Sequence, residues 1–346
     1  MSFSTNRRTF FLGLSGLAGC LSDRRPRLNV YNWSAYVAPE TIPNFESEFG
    51  VRVRYATYED NEEMLAKVLT GNSGWDVVFP THSRLEPMNS YNLIAPLQHE
   101  WLPNLGNLAP EFRAPSWDPP LRLGVPYMWG STGIAYNRSL MPPPTRWADL
   151  WDPRFKGRIT MLDDPEDMLG ACLEKLHLPF NTISPDDLRR AEREALAQRP
   201  LLRAYLNADV RDQLVAEDVL AAQLWSTTAQ QAIDAAPERL GFTFPAEGFP
   251  FYCDCGVILR ESHRERLAHE FLNYLLRAPV AAAAAKATAT ATVNGAAQEL
   301  LPEGMRNNPT LYPAPEIFRR GEWTRTNPPA IQRLRDRIWT EVKSSV

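Results

Sequence analysis

The chain has 346 residues, 44% of them hydrophobic and 23% charged, with a formal net charge of −4. That is ordinary soluble composition and enough length for two modest domains. The acidic balance argues against the basic surface of a nucleic-acid binder, so no nucleic-acid partner is expected.

The first twenty residues do not read as fold. Asn6-Arg7-Arg8-Thr9-Phe10-Phe11-Leu12 leads into a short apolar run ending at Ala18, the form of an export signal. The run is shorter than the roughly 20 apolar residues a bilayer span requires. The paired arginines resemble a twin-arginine signal, and Leu17-Ala18-Gly19-Cys20 resembles a lipobox with Cys20 as the lipidated residue. A plain signal peptide with an unrelated cysteine is the alternative. Residues 21–27 form a charged linker. Three cysteines remain, Cys172, Cys253 and Cys255. The last two, on an expected strand, are read as pointing to opposite faces and therefore as unbridged. They have no second Cys or His pair nearby at ligand spacing, so no metal is expected.

From Leu28 the fold begins. Leu28 to Trp33 reads as a strand. Pro39 opens a helix carrying Ile42, Phe45 and Phe49, and Gly50 closes it. A second strand spans 51–58, a helix 61–69 and a third strand 75–80. The second half repeats this α/β style. A strand over 158–162 precedes a helix from Pro165 to Leu176, and Ser184 caps a long helix bearing Leu188, Ala191 and Ala195. A strand over 219–225 leads to a helix over 227–236, and another strand spans 254–259. Alanine-rich 281–291 reads as a packed helix. Thirty prolines, as in Pro142-Pro143-Pro144, mark rigid loops.

Polar and aromatic clusters follow the strand ends: Trp33-Ser34-Ala35-Tyr36, Pro80-Thr81-His82-Ser83, Asp163-Asp164 with Asp167, Trp225-Ser226-Thr227, and Tyr252-Cys253-Asp254. In open α/β sheets ligands bind outside the carboxyl ends of strands. Five such loops from two halves of a chain would build a cleft. Asp163-Asp164-Pro165 also has the form of a helix cap. No G-x-S-x-G elbow occurs, and none of the five histidines sits in an H-E-x-x-H motif, so an enzyme is not expected. His82 reads as a polar loop residue, and Trp129, Trp147 and Trp151 as packing.

Several stretches, taken together and in order, resemble the periplasmic spermidine/putrescine-binding proteins of ABC importers. They are Tyr31-Asn32-Trp33-Ser34-Ala35-Tyr36-Val37, Tyr55-Ala56-Thr57-Tyr58-Glu59 and Val125-Pro126-Tyr127-Met128-Trp129-Gly130. Trp147-Ala148-Asp149-Leu150-Trp151-Asp152-Pro153, Thr310-Leu311-Tyr312-Pro313 and Gly321-Glu322-Trp323 complete the set. The resemblance implies a type II periplasmic-binding-protein clamp with a cleft between two domains. These would be 28–132 with 256–300, and 133–255 with 301–346. It implies a monomer that takes a polyamine to permease subunits outside the cytoplasm, with no cofactor, and the lipobox-like run adds the tether through Cys20.

By resemblance, Trp33, Ser34, Tyr36, Thr81, Asp164, Trp225 and Asp254 contact ligand. Asp167 does so where a Glu is usual, and Tyr252 where a Trp is usual. Ala35 replaces an acid, Ser83 and Thr290 replace tyrosines, and Thr324 replaces a Gln. These losses point to a ligand smaller than spermidine or to a looser hold on one end of it. The residue types suit an amine, since each buried ammonium requires a carboxylate and acceptors, and methylenes beside charge suit aromatic faces. Other readings stay open: a relative of the same fold for a different cationic or small organic ligand, or an amine-sensing lipoprotein.

Overall fold

The computed structural model describes residues 24–345. The expected signal and Cys20 lie outside them. The first half opens with β1 (Arg27–Trp33), which takes the last residue of the expected linker into the fold. The Thr41–Phe49 helix follows and ends on Gly50, whose φ of 64° a glycine adopts without strain. β2 (Arg52–Tyr58) runs parallel to β1. The Asn61–Val68 helix is capped by Asp60, and β3 (Val77–Val78) runs parallel to β1 on its other side. β3 is shorter than expected. The Asp76 carboxylate binds the Asn29 N–H at 2.7 Å before it, and Pro80 beyond it has no N–H to donate to a ladder.

β4 (Val125–Asn137) is thirteen residues long and buried at every position. With both faces covered it shows no polar alternation, which is why sequence pattern alone did not reveal it as a strand. The second half adds β5 (Ile159–Met161), β6 (Ala204–Tyr205), β7 (Ala221–Trp225) and β8 (Leu240–Thr243). β9 (Phe249–Ile258) starts several residues earlier than expected. β10 (Ala291–Thr292) and β11 (Gly321–Trp323) are short additions. The alanine-rich helix spans Ala278–Thr288 and stops at Ala289, whose φ is 52°, before Ala291 enters β10. The chain closes with the Pro329–Ser344 helix.

The sheet order is β2-β1-β3-β9-β4-β7-β5-β6, with β10 and β8 on β4 and β11 on β9. β4 and β9 are the long central pair. The first part of β4, Val125 to Ser131, pairs antiparallel with β9, and Thr132 to Tyr136 pairs with β7. The far end of β9 pairs with β3. These two strands therefore join a β1–β3 half to a β5–β8 half. The parallel strands β1 and β3 of one half and β5 and β7 of the other end in the loops expected to carry the site.

All three described cysteines are free and buried. Cys253 and Cys255 share one face of β9, in mutual contact, and not opposite faces as expected. Strand side chains alternate, so residues two apart fall on the same side.

Candidate functional site

A cavity of about 320 Å³ opens between the two halves. Its lining includes all nine residues singled out from the sequence: Trp33, Ser34, Tyr36, Thr81, Asp164, Asp167, Trp225, Tyr252 and Asp254.

One wall is built after β1 and β3. Ala35 takes a φ of 51°, and that left-handed turn lets the chain reverse after Trp33. Tyr36 turns inward, its carbonyl held by Tyr127 Oη at 2.6 Å, and its own hydroxyl donates to Asp254 Oδ2 at 2.7 Å. Thr81 Oγ1 donates to the other Asp254 oxygen at 3.0 Å and receives Asn61 Nδ2 at 3.1 Å. Asp254, on β9 opposite Met128, is 4% exposed. Burial pushes its carboxyl up to about 7 against the pull of those two hydroxyls. Trp33 is locked by its Nε1–H, which donates to the Phe79 carbonyl at 2.8 Å, and by Tyr58 beside its ring at 4.7 Å. Tyr252 stands over Gly130, where a Cβ would come within 2.5 Å of the phenol oxygen, so glycine is required at that position.

The facing wall follows β5 and β7. Asp164 caps the Pro165–Lys175 helix: its Oδ1 accepts the N–H of Glu166 at 2.8 Å and of Asp167 at 3.0 Å. The cap reading and the cavity-lining reading of Asp164 therefore coexist. Asp167 receives Thr132 Oγ1 at 2.8 Å and Trp225 Nε1 at 2.9 Å. Burial first, then the charge of Asp164, raise its carboxyl well above the ordinary range. Asp164 is raised too, chiefly by burial. Asp167 and Asp254 are thus buried with no ion pair to either among the described residues, while Asp164 feels the charge of Arg84.

Other expectations shift. His82 is fully buried and does not line the cavity. Its Nδ1 accepts the Cys253 N–H at 3.1 Å, so Nε2 carries the proton and donates to the Thr324 carbonyl at 2.8 Å. Burial lowers this imidazole to about 4 and keeps it neutral. Ser83 and Thr290 are buried away from the cavity, whereas Ala35 and Thr324 line it. The Ser34 hydroxyl donates to the Glu59 carboxylate. Sequence reading did not assign Glu59, Glu166, Asp209, Arg211 or Asp212 to the site, yet all line the cavity. Glu166, two residues after Asp164 in the first turn of a helix, was within reach of the sequence. Asp209 to Asp212 open a six-residue helix with no distinctive signal.

Among the described residues no group of three or more His, Cys, Asp or Glu is arranged to hold a metal ion. No helix among them is long and apolar enough to cross a membrane.

Two α/β halves joined by long central strands, with an acid- and aromatic-lined cavity between them, define a two-domain clamp of the type II binding-protein class. The chain belongs to the bacterial extracellular solute-binding proteins, whose family model matches residues 40–313. It is 32% identical over 311 residues to the spermidine/putrescine-binding periplasmic protein of Escherichia coli K12, covering 89% of each chain. It is 31% identical over 346 residues to the putrescine-binding periplasmic protein PotF of the same organism, covering 94% of each. Among solved structures it matches the spermidine/putrescine ABC transporter substrate-binding protein PotD of Streptococcus pneumoniae. That match has a TM-score of 0.80 and 27% identity, covering 92% of this chain and 98% of that one.

Proposed function

We propose that the cavity captures a small polyamine and that the chain hands it to the permease of an ABC importer, without chemistry. The observation that carries this is the charge of the lining. Asp164, Glu166, Asp167 and Asp254 inside, with Glu59, Asp209 and Asp212 at the exposed rim, face Arg211 alone as a cation among the lining residues. An unpaired buried carboxylate is costly, and a ligand ammonium relieves that cost. Trp33, Tyr36, Trp225 and Tyr252 supply aromatic faces for the methylenes, and each ammonium–ring contact adds about 0.5–2 kcal/mol. Thr81 holds Asp254 in place, and Ser34 acts through Glu59.

The two domains of this reading are residues 28–132 with 256–300 and 133–255 with 301–346. They bend about β4 and β9 to close on the amine. The molecule works as a monomer outside the cytoplasm, exported on its Arg7-Arg8 signal and tethered through a lipid on Cys20. The tether is checked by replacement: Cys20→Ala protein leaves the membrane fraction and still binds amine. Persistence in that fraction rules the tether out.

The test of the ligand is thermal unfolding of the domain from residue 24 with putrescine, spermidine and, as an uncharged control, 1,4-butanediol. At a hundredfold excess over Kd a ligand stabilises by about 2.7 kcal/mol. Stabilisation by the amines and not by the diol is expected; equal responses to all three defeat the proposal.

A further inference from the structure

The chain as a whole is acidic, with a formal net charge of −4, yet one end of its first half is rich in exposed cations. Resting on the tether reading above, we infer that this end, remote from the cavity, is a membrane-facing surface whose partner is an anionic bilayer. A lipid on Cys20 fixes position, and this surface fixes orientation.

The parallel strands β1, β2 and β3 all start at that end. β9 finishes there, because it runs antiparallel to β3. Trp33, six residues along β1 from Arg27, lines the cavity. At the usual rise of a strand the two ends of β1 are about 20 Å apart. Cys20 lies seven residues before Arg27, so a lipid on it holds the start of β1 within about 25 Å. The tether therefore leaves from this end and not from the cavity.

The side chains there suit a bilayer. Arg24, Arg25 and Arg27 are exposed where the chain enters the fold. Arg54, opposite Asn29 of β1, is exposed, and its guanidinium lies 4.4 Å from the centre of the Trp75 ring. Lys67, in the last turn of the Asn61–Val68 helix, has its ammonium 4.9 Å from the centre of the Tyr31 ring. Tyr31 and Trp75 stack at 4.8 Å, so the two cations share one aromatic platform. Arg260, just past β9, donates to the Ile94 carbonyl at 2.9 Å. Ring faces and a carbonyl hold these three cations without neutralising them, and no ion pair involves any of the three among the described residues. The neighbouring acids are engaged elsewhere: Glu46 pairs with Arg52 at 2.9 Å, Asp76 with Arg264 at 3.4 Å, and Glu261 accepts the Ser73 N–H at 2.9 Å. Among the cations stand Leu69 and Tyr91, 54% and 68% exposed. They adjoin Val68 and Asn92, which line a surface depression with Leu259 and Arg260. Exposed apolar and aromatic tips between arginines are the composition of a surface that settles into a lipid headgroup layer. An acidic chain is attracted to an anionic bilayer only through cations segregated in this way.

The test is co-sedimentation of the chain from residue 24, which holds every described element, with two kinds of vesicle. One is phosphatidylcholine alone, and the other is phosphatidylcholine and phosphatidylglycerol in equal parts. Arg27→Gln, Arg54→Gln and Arg260→Gln are combined in one variant. Arg154→Gln, Arg190→Gln and Arg319→Gln, in the second half, are combined in a control that loses the same charge. All six positions are exposed, so the fold is retained. Wild type is expected to sediment with the anionic vesicles at low salt, not with phosphatidylcholine, and to be released by added salt. Each arginine near the surface contributes about fivefold, so the first variant is expected to lose about a hundredfold in affinity while the control stays near wild type. Sedimentation with neither vesicle, equal sedimentation with both, or equal losses in the two variants overturns the membrane-facing surface. The assay contains no Cys20, so its outcome is separate from the Cys20→Ala test of the tether.

Discussion

Asp254 shows how far a single side chain can be driven by its surroundings. Only two hydroxyls offset its desolvation, and burial pushes its carboxyl up to about 7. An ammonium requires the ionised form, so amine binding releases a proton at and below that pH. The apparent affinity is therefore expected to be flat well above pH 7 and to fall toward tenfold per pH unit below it. Titration across pH 5 to 8 shows the slope, and buffers of different ionisation enthalpy show the proton. Asp254→Asn cannot release that proton. It should weaken amine binding by about 3–5 kcal/mol, the scale for stripping one partner from a buried ion pair, and make the profile shallower, leaving the share that Asp167 contributes. Wild-type affinity independent of pH over this range would remove Asp254 from the binding role. Asp167 is also buried and carries two donors, so Asp167→Asn belongs with Asp254→Asn in severity. Asp164 ranks below both because its Oδ1 is committed to the helix cap.

At the scale of elements, Asp164 makes a separable prediction. Its side chain satisfies two of the orphan N–H groups at the start of the Pro165–Lys175 helix, and that helix carries Glu166 and Asp167 into the cleft. Asn caps as well as Asp, so Asp164→Asn should keep the melting temperature while losing charge. Asp164→Ala should cost about 0.5–2 kcal/mol of stability in addition. Equal melting of the two variants would show that the cap contributes nothing. This helix was legible from Asp-Pro and its apolar spacing, as were β1, β2 and the Ser184-capped helix, because local rules of capping and alternation governed them. β4 was not, since a strand covered on both faces carries no periodic signal. The cavity-lining acids followed the same divide. Those at strand ends with a cap or aromatic neighbour stood out, whereas Glu59 and Asp209 joined the cavity only through the way distant segments pack.

At the scale of the whole molecule, polar contacts link the two halves at several points, among them Tyr36 with Asp254, His82 with Thr324 and Thr326 with Ser83. Arg84, on the turn after β3, reaches Glu62 of its own half at 3.1 Å and Glu166 of the other half at 3.8 Å, with side chains of Arg84 and Glu166 only 11% and 17% exposed. Gln231 Nε2 donates across to the Thr288 carbonyl at 2.8 Å. Acids thus gather on both sides of Arg84. Burial raises the Glu166 carboxyl, whereas the Glu62 side chain is 54% exposed. Arg84→Gln leaves those acids without their shared counterion, so closure loses an attraction and gains a repulsion. A bias of about 1 kcal/mol changes the closed-to-open ratio about fivefold, and ligand closes the clamp by binding that state better. Without amine, small-angle scattering of Arg84→Gln should report a larger radius of gyration than wild type. With saturating amine the two curves should coincide, because ligand carboxylate contacts then supply the closing force. Affinity is the weaker readout here, since removing a positive charge beside the cleft also favours a cationic ligand and offsets the cost of closing. Identical scattering of the two ligand-free proteins would mean that Arg84 packs between the halves without holding them together.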